Sequence, residues 1–118
     1  MDKTTGLTHL IKSTNYSMQG LKSAFKNEAA FRHEVALGVI LVPLALWLAN
    51  SKVELILMIG GYLLILLTEL LNSAIEAAVD RIGKERHELS GRAKDQGSAA
   101  VLIAIVNCAM VWLIILLF

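Results

Sequence analysis

Residues 55–80 read LILMIGGYLLILLTELLNSAIEAAVD. Leu55 to Leu67 is apolar, and from Thr68 to Asp80 no Pro or Gly interrupts a helix, so an apolar helix runs on into a polar one. At about 100° per residue, and measured from Glu69, Asn72 falls at about −60°, Glu76 at about −20° and Asp80 at about +20°. Three carboxylates and an amide therefore share one face. An ionisable group at membrane depth costs on the order of 3 kcal/mol, so such groups face protein or a water-filled cavity and mark a functional site. The plainer reading has Glu76 and Asp80 hydrated at the interface while Glu69 and Asn72 hydrogen-bond between helices. That one face collects all four weighs against it.

Two more apolar runs flank this one. Ser98 to Phe118 carries no charge over some 21 residues, close to the ~20 needed to cross a hydrocarbon core of ~30 Å. Val35 to Ala49 is shorter, but extending it to Phe31 and Asn50 brings it near spanning length. Pro43 inside it removes one backbone donor and is expected to kink it. Asn50-Ser51-Lys52 is so short a connection that the helices on either side must be antiparallel neighbours. Arg81 to Gly97 is polar and reads as the longest loop. The chain is thus expected to be one domain, 1–118, with spans at about 29–49, 53–80 and 92–118.

Basic residues cluster before the first span (Lys3, Lys12, Lys22, Lys26, Arg32) and in the long loop (Arg81, Lys84, Arg86, Arg92, Lys94), with only Lys52 in the short turn. The positive-inside rule then puts the N-terminus and the long loop in the cytoplasm and the C-terminus outside. Leu7, Leu10, Ile11, Met18, Leu21 and Phe25 recur at helical spacing, which predicts an amphipathic surface helix over about 5–26. Asn15-Tyr16-Ser17 and Gly20 leave a broken pair of short helices equally open. Met1 to Lys26 lacks a compact apolar stretch ending in a cleavage site, so the segment is expected to be retained. The fold class is all-α membrane protein, a surface helix plus three transmembrane helices.

Composition narrows the function. A formal charge of +1 gives no basic field for nucleic acid. Cys108 is the single cysteine and reads as a small core hydrophobe. His9, His33 and His87 have no zinc-ligand spacing, and Trp47 and Trp112 read as packing or lipid-facing aromatics. Neither a P-loop nor a G-x-G-x-x-G motif occurs, which excludes those nucleotide sites. Before the first span, Glu28 and Arg32 at i, i+4 suit a helix ion pair. Alternatively Glu28 reaches toward Glu76, and two carboxylates brought together need a cation or a proton between them; oxygen-only ligation suits Mg²⁺ carrying phosphates. The loop His87-Glu88-Leu89-Ser90-Gly91-Arg92-Ala93-Lys94-Asp95-Gln96-Gly97 combines glycines for turns with basic groups that could hold phosphate.

The segments Asn27-Glu28-Ala29-Ala30-Phe31-Arg32, Glu69-Leu70-Leu71-Asn72-Ser73-Ala74-Ile75-Glu76 and Glu88-Leu89-Ser90-Gly91-Arg92-Ala93-Lys94-Asp95 resemble the prokaryotic diacylglycerol kinase family, and the resemblance runs over essentially the whole chain. It implies a small homotrimeric kinase of the inner membrane that phosphorylates diacylglycerol with ATP and Mg²⁺, returning it to phospholipid synthesis. It further implies Glu69 as general base for the lipid hydroxyl, Glu28 and Glu76 as metal ligands, and Asn72 as the group orienting Glu69 or the phosphoryl group. Lys94 would neutralise phosphate charge, with Tyr16, Asp80, His87, Glu88 and Asp95 around the nucleotide. Glu34 and Ser98 would lie near the lipid pocket. His9 belongs with the nucleotide residues, but close relatives tend to carry arginine there. Two alternatives stand beside this reading: an undecaprenol kinase of the same fold, and a small proton-coupled transporter using Glu69 and Glu76 as its relay. The clustering of polar groups at one end argues against the transporter, whose site belongs near the midplane.

Overall fold

The computed structural model describes residues 6–118, which form four α-helices: α1 (Gly6–Asn27), α2 (Ala29–Leu48), α3 (Lys52–Ile82) and α4 (Glu88–Leu117). Lys3, and residue 5 as the expected start of the surface helix, lie outside the described residues.

The first helix is continuous, so the broken pair is not what forms. The polar residues in its middle satisfy themselves on the helix: Thr14 Oγ1 donates to Leu10 O at 2.8 Å and Ser17 Oγ to Ser13 O at 3.0 Å. Its apolar side chains Leu7, Leu10, Ile11, Met18, Leu21 and Phe25 are all exposed, with only Ala24 buried. Such a face suits the headgroup boundary.

Each of α2, α3 and α4 is long and apolar enough to cross a membrane. With 31 residues, α3 is about 46 Å long, so part of it must stand outside a hydrocarbon core of ~30 Å. Pro43 lies inside α2, which continues past it. The turn into α3 is closed by reciprocal caps: Ser51 Oγ accepts from Glu54 N–H, and Glu54 Oε1 accepts from Asn50 N–H, both at 3.1 Å.

Helix α4 starts earlier than expected. The segment read as a loop to Gly97 is helical from Glu88, and the linker is only residues 83–87. His87 caps the helix, its Nδ1 accepting from Leu89 N–H at 3.1 Å, and Glu88 in the first turn complements the helix dipole. Gly91 and Gly97 therefore sit inside a helix and not in turns.

Packing centres on α3, with α4 along one side and α2 on another. Tyr62, Ile65, Ala104 and Cys108 form the core, flanked by Leu41, Val42, Leu66 and Trp112. Cys108 is the small buried hydrophobe expected. A Cβ on Gly61 would meet Cys108 Cα at 3.4 Å, so a small residue allows the close α3–α4 approach. Trp112 Nε1 donates to Met58 O at 3.2 Å, whereas Trp47 is exposed. Ile103, Val106, Leu113 and Leu117 remain exposed on α4, a surface that belongs in lipid or against another chain.

Candidate active site

Burial falls off along the polar face of α3. Glu69 and Asn72 are buried at 7% and 9% exposure, Glu76 is half-buried and Asp80 is exposed. Asn72 Nδ2 donates to Glu76 Oε1 at 3.2 Å, one helical turn along. Asn72 Oδ1 is buried with no hydrogen-bond partner. The carboxylates of Glu34, Glu76 and Glu28 are all close enough to act electrostatically on Glu69. Of these carboxylates only Glu69 is buried; Glu28 at the α1–α2 joint, Glu34 on α2 and Glu76 on α3 are half-buried. Like charges brought together in this way call for protons or cations.

The joint delivers Glu28. That residue is extended, φ −117° and ψ 109°, between the two helices. Its N–H donates to Ala24 O at 2.8 Å and its carbonyl accepts from Arg32 N–H at 3.2 Å. Of the two readings open for Glu28, the ion pair with the Arg32 side chain does not form. Arg32 Nη1 donates instead to Phe25 O at 2.8 Å and Lys26 O at 3.1 Å. Carbonyls in the last turn of a helix lack intrahelical donors, and the guanidinium supplies charge-assisted N–H groups to two of them.

Two clefts open at this end of the bundle. One, of 430 Å³, lies between the end of α3, the linker and the start of α4; Asp80, Lys84, Arg86, His87, Glu88 and Lys94 are in its wall. Across it Lys94 Nζ meets Asp80 Oδ1 at 2.8 Å. The other, of 660 Å³, lies between α1 and α3, with Ser17, Gly20, Glu28, Ser73 and Ala77 in its lining.

Residues 15–116 match the family model for prokaryotic diacylglycerol kinase. The chain belongs to the prokaryotic diacylglycerol kinase family. It is 67% identical over 112 residues to the diacylglycerol kinase of Haemophilus influenzae, covering 95% of each chain. To the diacylglycerol kinase of Escherichia coli K12 it is 52% identical over 115 residues, covering 98% of this chain and 94% of the relative. The diacylglycerol kinase of Pseudomonas aeruginosa is 51% identical over 113 residues, with 96% and 92% covered.

For a prokaryotic diacylglycerol kinase, the expected residues fall into three groups. Glu69, Asn72 and Glu76 lie along one face of α3, the first two buried, while Glu28 and Glu34 are half-buried on the joint and on α2. Asp80, His87, Glu88 and Lys94 come together in the cleft beside the linker. Tyr16 and His9 on α1, and Asp95 and Ser98 on α4, are exposed and line neither cleft. Among the described residues no three His, Cys, Asp or Glu side chains converge as a metal cage. Glu28 and Glu76 nevertheless fit Mg²⁺ by donor type, because the ion is held by one or two carboxylates and completed by water and phosphate oxygens.

Sequence reasoning missed two features. Tyr62 Oη donates to Glu34 O at 2.8 Å, and a Cβ on Gly38 would overlap that phenol. Gly97 packs its bare Cα against Asn72 Oδ1. The spacing of seven from Tyr62 to Glu69 to Glu76 puts the phenol on the acidic face, but nothing in one sequence announces its partner on another helix.

Proposed function

We propose that the chain catalyses ATP-dependent phosphorylation of diacylglycerol to phosphatidic acid, with Glu69 as general base. The observation that carries this is the buried Glu69 on the polar face of α3, one turn from Asn72, whose amide donates to Glu76. In the reaction the lipid hydroxyl oxygen attacks the γ-phosphorus of ATP. The bond from that phosphorus to the β,γ-bridging oxygen breaks and ADP leaves. The hydroxyl proton passes to a Glu69 carboxylate oxygen.

Position makes this chemistry workable. A lipid hydroxyl arrives from the bilayer and a nucleotide from water, so their meeting point must lie where an apolar helix turns polar. That is where α3 carries Glu69. Glu28 and Glu76 would hold Mg²⁺, which supplies charge neutralisation and alignment of the ATP phosphates. Lys94 provides a point charge for phosphate, and His87, Glu88 and Asp80 border the cleft that suits the rest of the nucleotide. Glu34 and Ser98 belong to the lipid side of the site; Tyr16, His9 and Asp95 reach the nucleotide from exposed positions. On this reading the chain is a homotrimer in the inner membrane, with its N-terminus and the 83–87 linker in the cytoplasm and its C-terminus in the periplasm. The exposed apolar face of α4 is available to neighbouring subunits.

The test is transfer of label from γ-labelled ATP by purified protein in mixed micelles, with diacylglycerol and undecaprenol offered in parallel, with and without Mg²⁺. Magnesium-dependent label in diacylglycerol is the expected result. Label in undecaprenol alone transfers the reading to a polyprenol substrate, and label in neither lipid overturns it.

A further inference from the structure

Asn72 sits with its two amide ends in different surroundings. Nδ2 donates to Glu76 Oε1 at 3.2 Å. Oδ1 is buried, has no donor, and faces the backbone of α4 at Gly97. A Cβ added to Gly97 would land on Oδ1; the next atoms it would meet are Asn72 Cγ at 3.4 Å and Ile75 Cδ1 at 3.6 Å. The obstacle at Gly97 is therefore the amide itself. Gly61 differs, because there the neighbouring atoms include the backbone of Cys108, and the glycine serves the approach of two helices.

We propose that Gly97 is a positioning residue for phosphoryl transfer: its missing side chain leaves the room in which the Asn72 amide lies with Nδ2 on Glu76. This rests on the reading of Glu69, Asn72 and Glu76 as the active centre. The orientation has a chemical reason. With the amide reversed, Oδ1 would face Glu76 Oε1, lone pair against lone pair, and the bond from Nδ2 would be lost. Reversal would not relieve a methyl at position 97 either, since an NH₂ group is no smaller than a carbonyl oxygen. Only rotation of the whole side chain makes room, and that withdraws the donor from Glu76. A methyl group on α4 thus disturbs the carboxylate expected to hold Mg²⁺, and misplaces Asn72 beside Glu69. Displacements of this size next to reacting groups cost about tenfold to a hundredfold in rate.

The experiment is a double-mutant cycle on the full chain in mixed micelles: wild type, Gly97→Ala, Asn72→Ala and the double variant, with kcat, KM for diacylglycerol and for ATP, Mg²⁺ dependence and unfolding midpoint measured for each. Gly97→Ala is expected to lower kcat about tenfold or more and to raise the Mg²⁺ requirement, with the KM for lipid little changed. In the Asn72→Ala background the same substitution is expected to cost nothing further, because the obstructed amide is gone. Should Gly97→Ala fail to fold, a folded double variant locates the obstruction at Asn72, and a kcat in it equal to that of Asn72→Ala supports the proposal. Full kcat in Gly97→Ala, the same fractional loss in both backgrounds, or misfolding of both variants overturns it. Wild-type turnover of diacylglycerol tests the underlying kinase reading separately. Wild-type kcat in Asn72→Ala removes the role of Asn72 and the proposal with it.

Discussion

Lys94 Nζ lies 2.8 Å from Asp80 Oδ1, tying the second turn of α4 to the last turn of α3. Both side chains are nearly half exposed, so the pair contributes little to folding. Its consequence is where it holds a cation: on the wall of the cleft beside the linker, ready to be traded from carboxylate to phosphate. Asp80→Asn is expected to leave the unfolding midpoint nearly unchanged. Lys94→Gln is expected to lower kcat/KM for ATP about 10²-fold or more, the scale of losing one group that stabilises developing charge. Equilibrium unfolding checks the first, and steady-state kinetics over a range of ATP concentrations checks the second. Lys94→Gln with unaltered kinetics would show that the ion pair is only structural.

The α2–α3 contact predicts an asymmetric pair of stability losses. Tyr62→Phe removes the bond to Glu34 O and is expected to cost about 1 kcal/mol. Gly38→Ala forces a methyl into the phenol and is expected to cost about 2 kcal/mol or more. Combining Gly38→Ala with Tyr62→Leu is expected to recover part of that loss, since the smaller side chain vacates the notch. Equilibrium unfolding in mixed micelles measures all of these. A neutral Gly38→Ala would mean the helices part easily here.

Arg32 predicts a metal phenotype for a residue that supplies no ligand. Its guanidinium closes the α1–α2 joint on Phe25 O and Lys26 O, and Glu28 lies within that joint. Arg32→Gln is expected to raise the Mg²⁺ concentration for half-maximal rate several-fold. Arg32→Lys is expected to fall between, since one ammonium reaches fewer carbonyls than a fork of N–H groups. A Mg²⁺ titration of initial rate decides it, and an unchanged titration in Arg32→Gln would uncouple the joint from the metal.

These expectations draw unequally on sequence and on structure. The three apolar helices, the tight α2–α3 turn and the acidic face of α3 were legible because each depends on spacing within one element. The start of α4 was not. Polarity reports where a chain leaves lipid, whereas helicity depends on caps, and the cap at His87 is a side-chain nitrogen accepting a backbone N–H. In α1 the opposite error arises: Asn15-Tyr16-Ser17 looks like a break until the Ser17 hydroxyl is seen bonded to the preceding turn. Within the site, the i, i+4 spacing of Glu28 and Arg32 suggested an ion pair, but the break between α1 and α2 leaves helix-end carbonyls without donors, and Arg32 reaches those. Asn72 against Gly97 and Tyr62 against Gly38 are pairings between helices, and a single sequence carries no register between them.

Glu69→Gln tests most directly whether Glu69 takes the proton from the lipid hydroxyl, because the amide keeps the shape and removes the base. The measurement is transfer of label from ATP to diacylglycerol by the purified variant, beside a size measurement of its assembly. A fall in kcat of about 10²-fold or more, with assembly unchanged, is the predicted result. Near-normal turnover in Glu69→Gln would contradict it.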